Sequence, residues 1–77
     1  MRWFKRRNGK RFKVGDFVYP KKGYDHLYEY FYDTPQMVVK ITETPRLSYC
    51  DQFVYIKYVF GDNGLQGFYN TALNKIE

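Results

Sequence analysis

Apolar and polar residues alternate through most of this chain, which is the period of strands and not of helices. The run QMVVKITE at 36–43 puts Met37, Val39 and Ile41 on one face and Val38 and Lys40 on the other. FVYIKYVF at 53–60 is the strongest strand signal. Val54, Ile56, Tyr58 and Phe60 share a uniformly apolar face, expected to look inward, while Phe53, Tyr55, Lys57 and Val59 share the other. Gly61-Asp62-Asn63-Gly64 then predicts a tight turn, because Asn-Gly suits the positive φ values such a turn needs. LQGFY at 65–69 returns as a short strand. Asn70 is placed to cap one helical turn, of 3₁₀ type at this length, and Lys75-Ile76-Glu77 add a last strand. Upstream, RFKVGDFVYP at 11–20 alternates around a Gly15-Asp16 turn, and Pro20 stops ladder pairing on its strand. TPRLSYCDQ at 44–52 reads as a loop or strand entry. The sum is an all-β chain: a small, five-stranded, SH3-like, partly open barrel with a short 3₁₀ turn before the last strand. Curling into a barrel removes edges that invite aggregation.

Length and composition sharpen that picture. Seventy-seven residues make one domain. A chain this short has a thin core, since it buries only about 60% of its unfolded surface. Nine Tyr, seven Phe and one Trp make it 22% aromatic. Each ring buries roughly 150–250 Å², so a few rings supply much of a small core.

Charge divides the chain. The first thirteen residues, MRWFKRRNGKRFK, hold seven bases and no acid, and the other 64 hold six bases against eight acids. We therefore divide the chain into a basic N-terminal arm at 1–11 and a barrel at 12–77. In the arm Arg2, Lys5, Arg6, Arg7, Lys10 and Arg11 surround Trp3 and Phe4. Cations beside rings suit DNA or RNA, with phosphates meeting the bases and nucleobases stacking on aromatics. A solvated tail, rings packed over an open barrel end, or a contact with an acidic protein surface fit the same residues.

Little chemistry is on offer. Cys50 is the only cysteine, which excludes an intrachain disulfide, and His26 is the only histidine. That pair makes neither a zinc site nor a nucleophile with its base. Asp62-Asn63-Gly64 resembles part of a calcium loop, but no acidic ligands follow at the spacing required. No phosphate-cradling glycine loop precedes a helix. The expectation is a non-enzyme without cofactor or metal. No apolar run of about 18 residues offers a membrane span, and the basic start lacks the apolar core of a signal peptide. A cytoplasmic protein is expected.

FKVGDFVYPKKG, PQMVVKI and YVFGDNGLQGFYNTALNKI together resemble the small bacterial and phage SH3-like proteins of the YodC kind. The likeness spans residues 12–23 and 35–76. It implies the barrel fold and no activity. The chain departs from that pattern in three places. Tyr69-Asn70 stands where the pattern has a proline after the aromatic, the basic arm is additional, and YDHLYEYFYDT at 24–34 is inserted between Gly23 and Pro35.

The insert concentrates Tyr24, Tyr28, Tyr30, Phe31 and Tyr32. Tyr24, Leu27, Tyr28 and Phe31 fall at helical spacing, while Tyr28, Tyr30 and Tyr32 alternate as in a strand, so a helical turn and a hairpin arm both fit. Asp25, Glu29 and Asp33 accompany them without a base, which argues against phosphate binding. The rings suit either the flank of the barrel or a protein partner, since Tyr joins large contact area to few rotatable bonds. The leading expectation is a phage-type interaction module that binds a host protein through this insert and its aromatic surface, with the arm for an acidic partner. The alternative is a nucleic-acid-binding protein that uses the arm and barrel aromatics.

Overall fold

The computed structural model describes residues 11–43 and 52–76. Five strands form one antiparallel sheet: β1 (Phe17–Pro20), β2 (Gln36–Glu43), β3 (Gln52–Asp62), β4 (Leu65–Tyr69) and β5 (Leu73–Ile76). Their order across the sheet is β4-β3-β2-β1-β5. The sheet curls without closing, so the expected partly open barrel is what the chain forms. Two 3₁₀ turns interrupt it, η1 at Asp25–Tyr30 and η2 at Asn70–Ala72. η2 is the turn expected before the last strand. Asn70 is its buried first residue, and the capping position falls to Tyr69. The expected arm residues Arg2, Trp3, Lys5, Arg6, Arg7 and Lys10 lie outside the described residues, as do Cys50 and the rest of 44–51.

β1 is built by its turn. Gly15 takes φ 103, and the Asp16 carboxylate accepts a 2.8 Å hydrogen bond from the Lys13 amide. The Gly15 amide in turn donates to the Val38 carbonyl at 2.9 Å, which ties the turn to β2. Pro20 is the last residue of β1, opposite Leu73 of β5, so the ladder on that strand stops there as expected.

Alternation fails in two places, and both are bulges. In β2 the register slips between Val38 and Lys40. Val38 pairs with Ile56 and Ile41 with Val54. An extra residue at Val39 thus turns both Val38 and Ile41 toward the core, instead of Met37, Val39 and Ile41 as one face. In β3 both Lys57 and Asp62 face Leu65, so the segment Tyr58–Gly61 has no partner in β4. The expected inward face therefore holds for Val54 and Ile56 and fails at Phe60, which is 80% exposed.

The core joins Val18, Val38, Val54, Ile56, Phe68 and Leu73 from the strands to Phe12 from the first turn and Phe31 from the insert. A buried polar group, one of two with Asn70 among the described residues, completes it. The Gln52 side chain accepts from the Phe12 amide at 2.9 Å and donates to the Phe12 carbonyl at 3.0 Å. Those bonds hold Phe12 over the barrel as a strand would, without a strand.

Two predictions test this packing. Ile56→Ala should cost about 2–5 kcal/mol, a large share of the ~5–15 kcal/mol that stabilises a domain. Gln52→Leu should cost about 1–3 kcal/mol by leaving the Phe12 amide and carbonyl buried without partners. Urea denaturation measures both. An unchanged midpoint for either variant contradicts the core described here.

Candidate functional site: an aromatic face on the insert and hairpin

The insert settles into a 3₁₀ turn followed by a reversal. Its packing face is Leu27, Tyr30 and Phe31, a helical spacing displaced from the stripe that the sequence suggests. Phe31 is 0% exposed. It belongs to the core, so its ring is closed to a partner, although the pattern groups it with the partner-binding tyrosines. Tyr30 is half-buried against Phe68, with ring centroids 5.7 Å apart. Tyr24, Tyr28 and Tyr32 are exposed. The rings thus divide between flank packing and free surface.

The reversal sets the free surface. Tyr32 and Asp33 both take left-handed backbone, with φ 51 and 61. That conformation costs roughly 1–2 kcal/mol for a residue with a Cβ. The Thr34 amide offsets part of it by donating to the Phe31 carbonyl at 3.0 Å, and the Gln36 amide side chain donates to the same oxygen at 3.0 Å. Held this way, the Tyr32 ring stacks on Tyr58 at 6.0 Å. Tyr58 also meets Tyr30 edge-on at 5.0 Å and Phe60 edge-on at 5.8 Å. Four rings from two distant segments therefore make one array. Beside them Val59 is 75% and Phe60 80% exposed.

The hairpin keeps that array at the tip. Asn63 and Gly64 take φ 55 and 75, the paired positive values expected of this Asn-Gly turn. Gly64 accepts from the Tyr58 amide at 2.8 Å through its carbonyl, and its amide donates to the Gly61 carbonyl at 3.0 Å. Gly61 has no room for a side chain, because a Cβ there would run into the Leu65 carbonyl. The bulged tip is thus fixed at its base.

Electrostatics mark the same place. Desolvation raises the Tyr58 hydroxyl above the ordinary tyrosine value, and the neighbouring Tyr32, Glu29 and Tyr30 raise it further. With Asp25 and Asp33, Glu29 gives the insert three acids and no base. Among the described residues no group of three His, Cys, Asp or Glu could hold a metal ion, and no helix is long and apolar enough to cross a membrane.

Of the arm, only Arg11 is described. Its guanidinium pairs with the Glu43 carboxylate at 3.0 and 3.3 Å, and its carbonyl accepts from Lys75 Nζ at 3.0 Å. Arg11 and the insert tyrosines belong to separate surfaces. Sequence reasoning placed Phe60 inward and so missed it as a surface residue, while Val59 lies outward on the face expected for it. The available signal was length: five residues of LQGFY cannot pair with all of a strand that begins at 52 and runs to the turn. No family model, no curated protein and no solved structure matches the chain.

The site yields its own test. Site-resolved NMR titration should place Tyr58 ionisation above the ordinary tyrosine range. Glu29→Gln should lower it only in part, because desolvation is the larger cause. The folded state then holds this proton more tightly than the unfolded chain. Stability contributed by Tyr58 is intact below the ordinary tyrosine pKa and falls as pH climbs to the raised one. An ordinary value for Tyr58 would contradict the packed array.

Proposed function

We propose that this protein is a non-catalytic interaction module that docks a protein partner on the Tyr32–Tyr58–Phe60 array. One observation carries the reading: a contiguous set of aromatic rings is held outward by left-handed backbone on one side and a glycine-pinned bulge on the other. The left-handed backbone that follows the buried Phe31 also holds the rings outward, where a relaxed loop would bury or splay them. Aromatic residues with few rotamers are the usual anchors of protein interfaces. Asp25, Glu29 and Asp33 accompany the rings on the insert and favour a partner whose apolar patch carries a Lys or Arg rim. The same acids repel phosphate, which favours a protein over a nucleic acid on this face.

Val59, Phe60 and Tyr32 are exposed, so their replacement should spare the fold. The triple change Tyr32→Ser, Val59→Ser, Phe60→Ser should leave the melting temperature within a few degrees of the parent. It should also abolish capture of partners from nuclease-treated lysate. Partners retained by the triple variant would reject this face as the docking surface, and so would partners lost only on nuclease treatment.

A further inference from the structure

A second exposed apolar surface lies on the outside of β1, and the docking reading does not use it. Phe17 pairs with Met37 of β2 on one side and with Ile76 of β5 on the other. The three side chains therefore stand in one row across three strands, and they are 46%, 44% and 48% exposed. Val18, the next residue of β1, is fully buried, so Phe17 points to the outer face. The next row on that face pairs Tyr19 with Asn74. Neither row holds a charged residue, in a chain that is 27% charged. Beside Ile76 and Tyr19 a groove of about 420 Å³ runs on to Tyr28 and Pro35, and Asp33 is the charged residue in its lining.

Such a face suits a second copy of itself. A face with net charge repels its own copy, and this row carries none. The row is also symmetric in kind about Phe17, with one aliphatic side chain on each side. A twofold axis along β1 sets Phe17 on Phe17 and Met37 of each copy on Ile76 of the other, the self-complementary arrangement of a closed pair. Met37 is unbranched and flexible, which suits it to enter the groove beside Ile76. Area sets the strength. Phe17, Met37, Ile76 and Tyr28 leave about 350 Å² per copy in water, taking roughly 200 Å² for each large side chain. Two copies double that, and a rim of Tyr19, Asn74, Thr34 and Pro35 brings the total to about 1,000 Å². That is the threshold of a specific interface and too little for an obligate dimer.

We propose that this protein forms a reversible twofold dimer through the outer face of β1, with the Phe17 row of one copy packed on that of the other. The two sheets lie about 10 Å apart, with their strands roughly aligned. The dimer does not depend on the docking reading. It presents the Tyr32–Tyr58–Phe60 array twice, which raises avidity for a partner with repeated sites.

Sedimentation velocity from about 10 µM to about 1 mM tests this, the range in which so small a contact exchanges. The mass should rise from one chain to two across that range. Salt should tighten the dimer, because each copy carries a net charge of +5 and the face carries none. Phe17→Lys sets two like charges at the axis and should weaken association about tenfold or more, and Met37→Lys should do the same. Both positions are half exposed, so the fold should survive either change. In a mixture of labelled and unlabelled copies, isotope-filtered NMR should show the Met37 methyl in contact with Ile76 of the second copy. Within one copy these two residues flank Phe17 roughly 10 Å apart, too far for such a contact. The triple change at Tyr32, Val59 and Phe60 should leave the dimer midpoint within about twofold, which separates this face from the docking array. If both lysine variants unfold, the NMR contacts of the parent decide alone. A parent that stays monomeric at about 1 mM overturns the proposal. A folded Phe17→Lys variant that still dimerises like the parent overturns it too. So does a dimer that salt dissociates, since charge and not this face would then hold it.

Discussion

Phe31 fills the space that five short strands leave open. The strands contribute one or two buried apolar side chains each, too few to close the interior of a barrel. The missing volume comes from the insert, whose Phe31 ring lies 5.4 Å from Phe68. Seating that ring dictates the rest of the segment. The chain must turn back at once to reach β2, so Tyr32 and Asp33 adopt left-handed backbone. Tyr30, one residue earlier, is pressed between Phe68 and Tyr58. Tyr32, one residue later, is carried out over Tyr58. The exposed array is thus the outward consequence of an inward anchor.

β3 carries rings toward both sides, and Phe60 at its tip borders both: it meets Tyr58 edge-on and also lines the groove beside Phe53 and Tyr55. Alternation sends Phe53, Tyr55 and Lys57 to one side of the strand. Tyr58 belongs to the other side, with Tyr30 and Tyr32. The charges sort with the rings. Glu29 of the insert acts on Tyr58, while Lys40 sits over the Tyr55 ring. This sorting accounts for a chain that is acidic outside its first thirteen residues and still presents a basic aromatic face.

Much of the fold is legible in the sequence. QMVVKITE and LQGFY are strands to the residue, and the turn falls where Asn-Gly sets it. Each has a local cause, a clean period of two or a glycine whose φ the turn demands. The illegible parts depend on distant residues. The bulge at Val39 answers to β3, and nothing in VVK announces it. Phe60 continues the apolar alternation of Val54 and Ile56, yet its place outside follows from the shortness of β4. The insert offered a helical and an extended period at once. Tertiary packing resolved it, because only Leu27, Tyr30 and Phe31 in a 3₁₀ turn reach the core together. Of the proposed site residues, Tyr24, Tyr28 and Tyr32 can be read from composition as surface, whereas Phe31 cannot be told from them without the core.

The hairpin tip shows why exposure here is enforced and is not incidental. Leaving Phe60 and Val59 in water forgoes burial worth roughly 25 cal/mol per Å² of apolar surface. Folding them inward would need an unbulged ladder, with each residue of 58–61 matched by one in β4. β4 has no residues to match them, since it begins at Leu65 and ends at Tyr69 where η2 starts. Closing the bulge from the other direction is blocked at Gly61, which already abuts the Leu65 carbonyl. The apolar tip therefore has no alternative site within this fold. Exposed apolar surface of this kind, with the ring array beside it, is what marks this end of the barrel as the proposed contact surface.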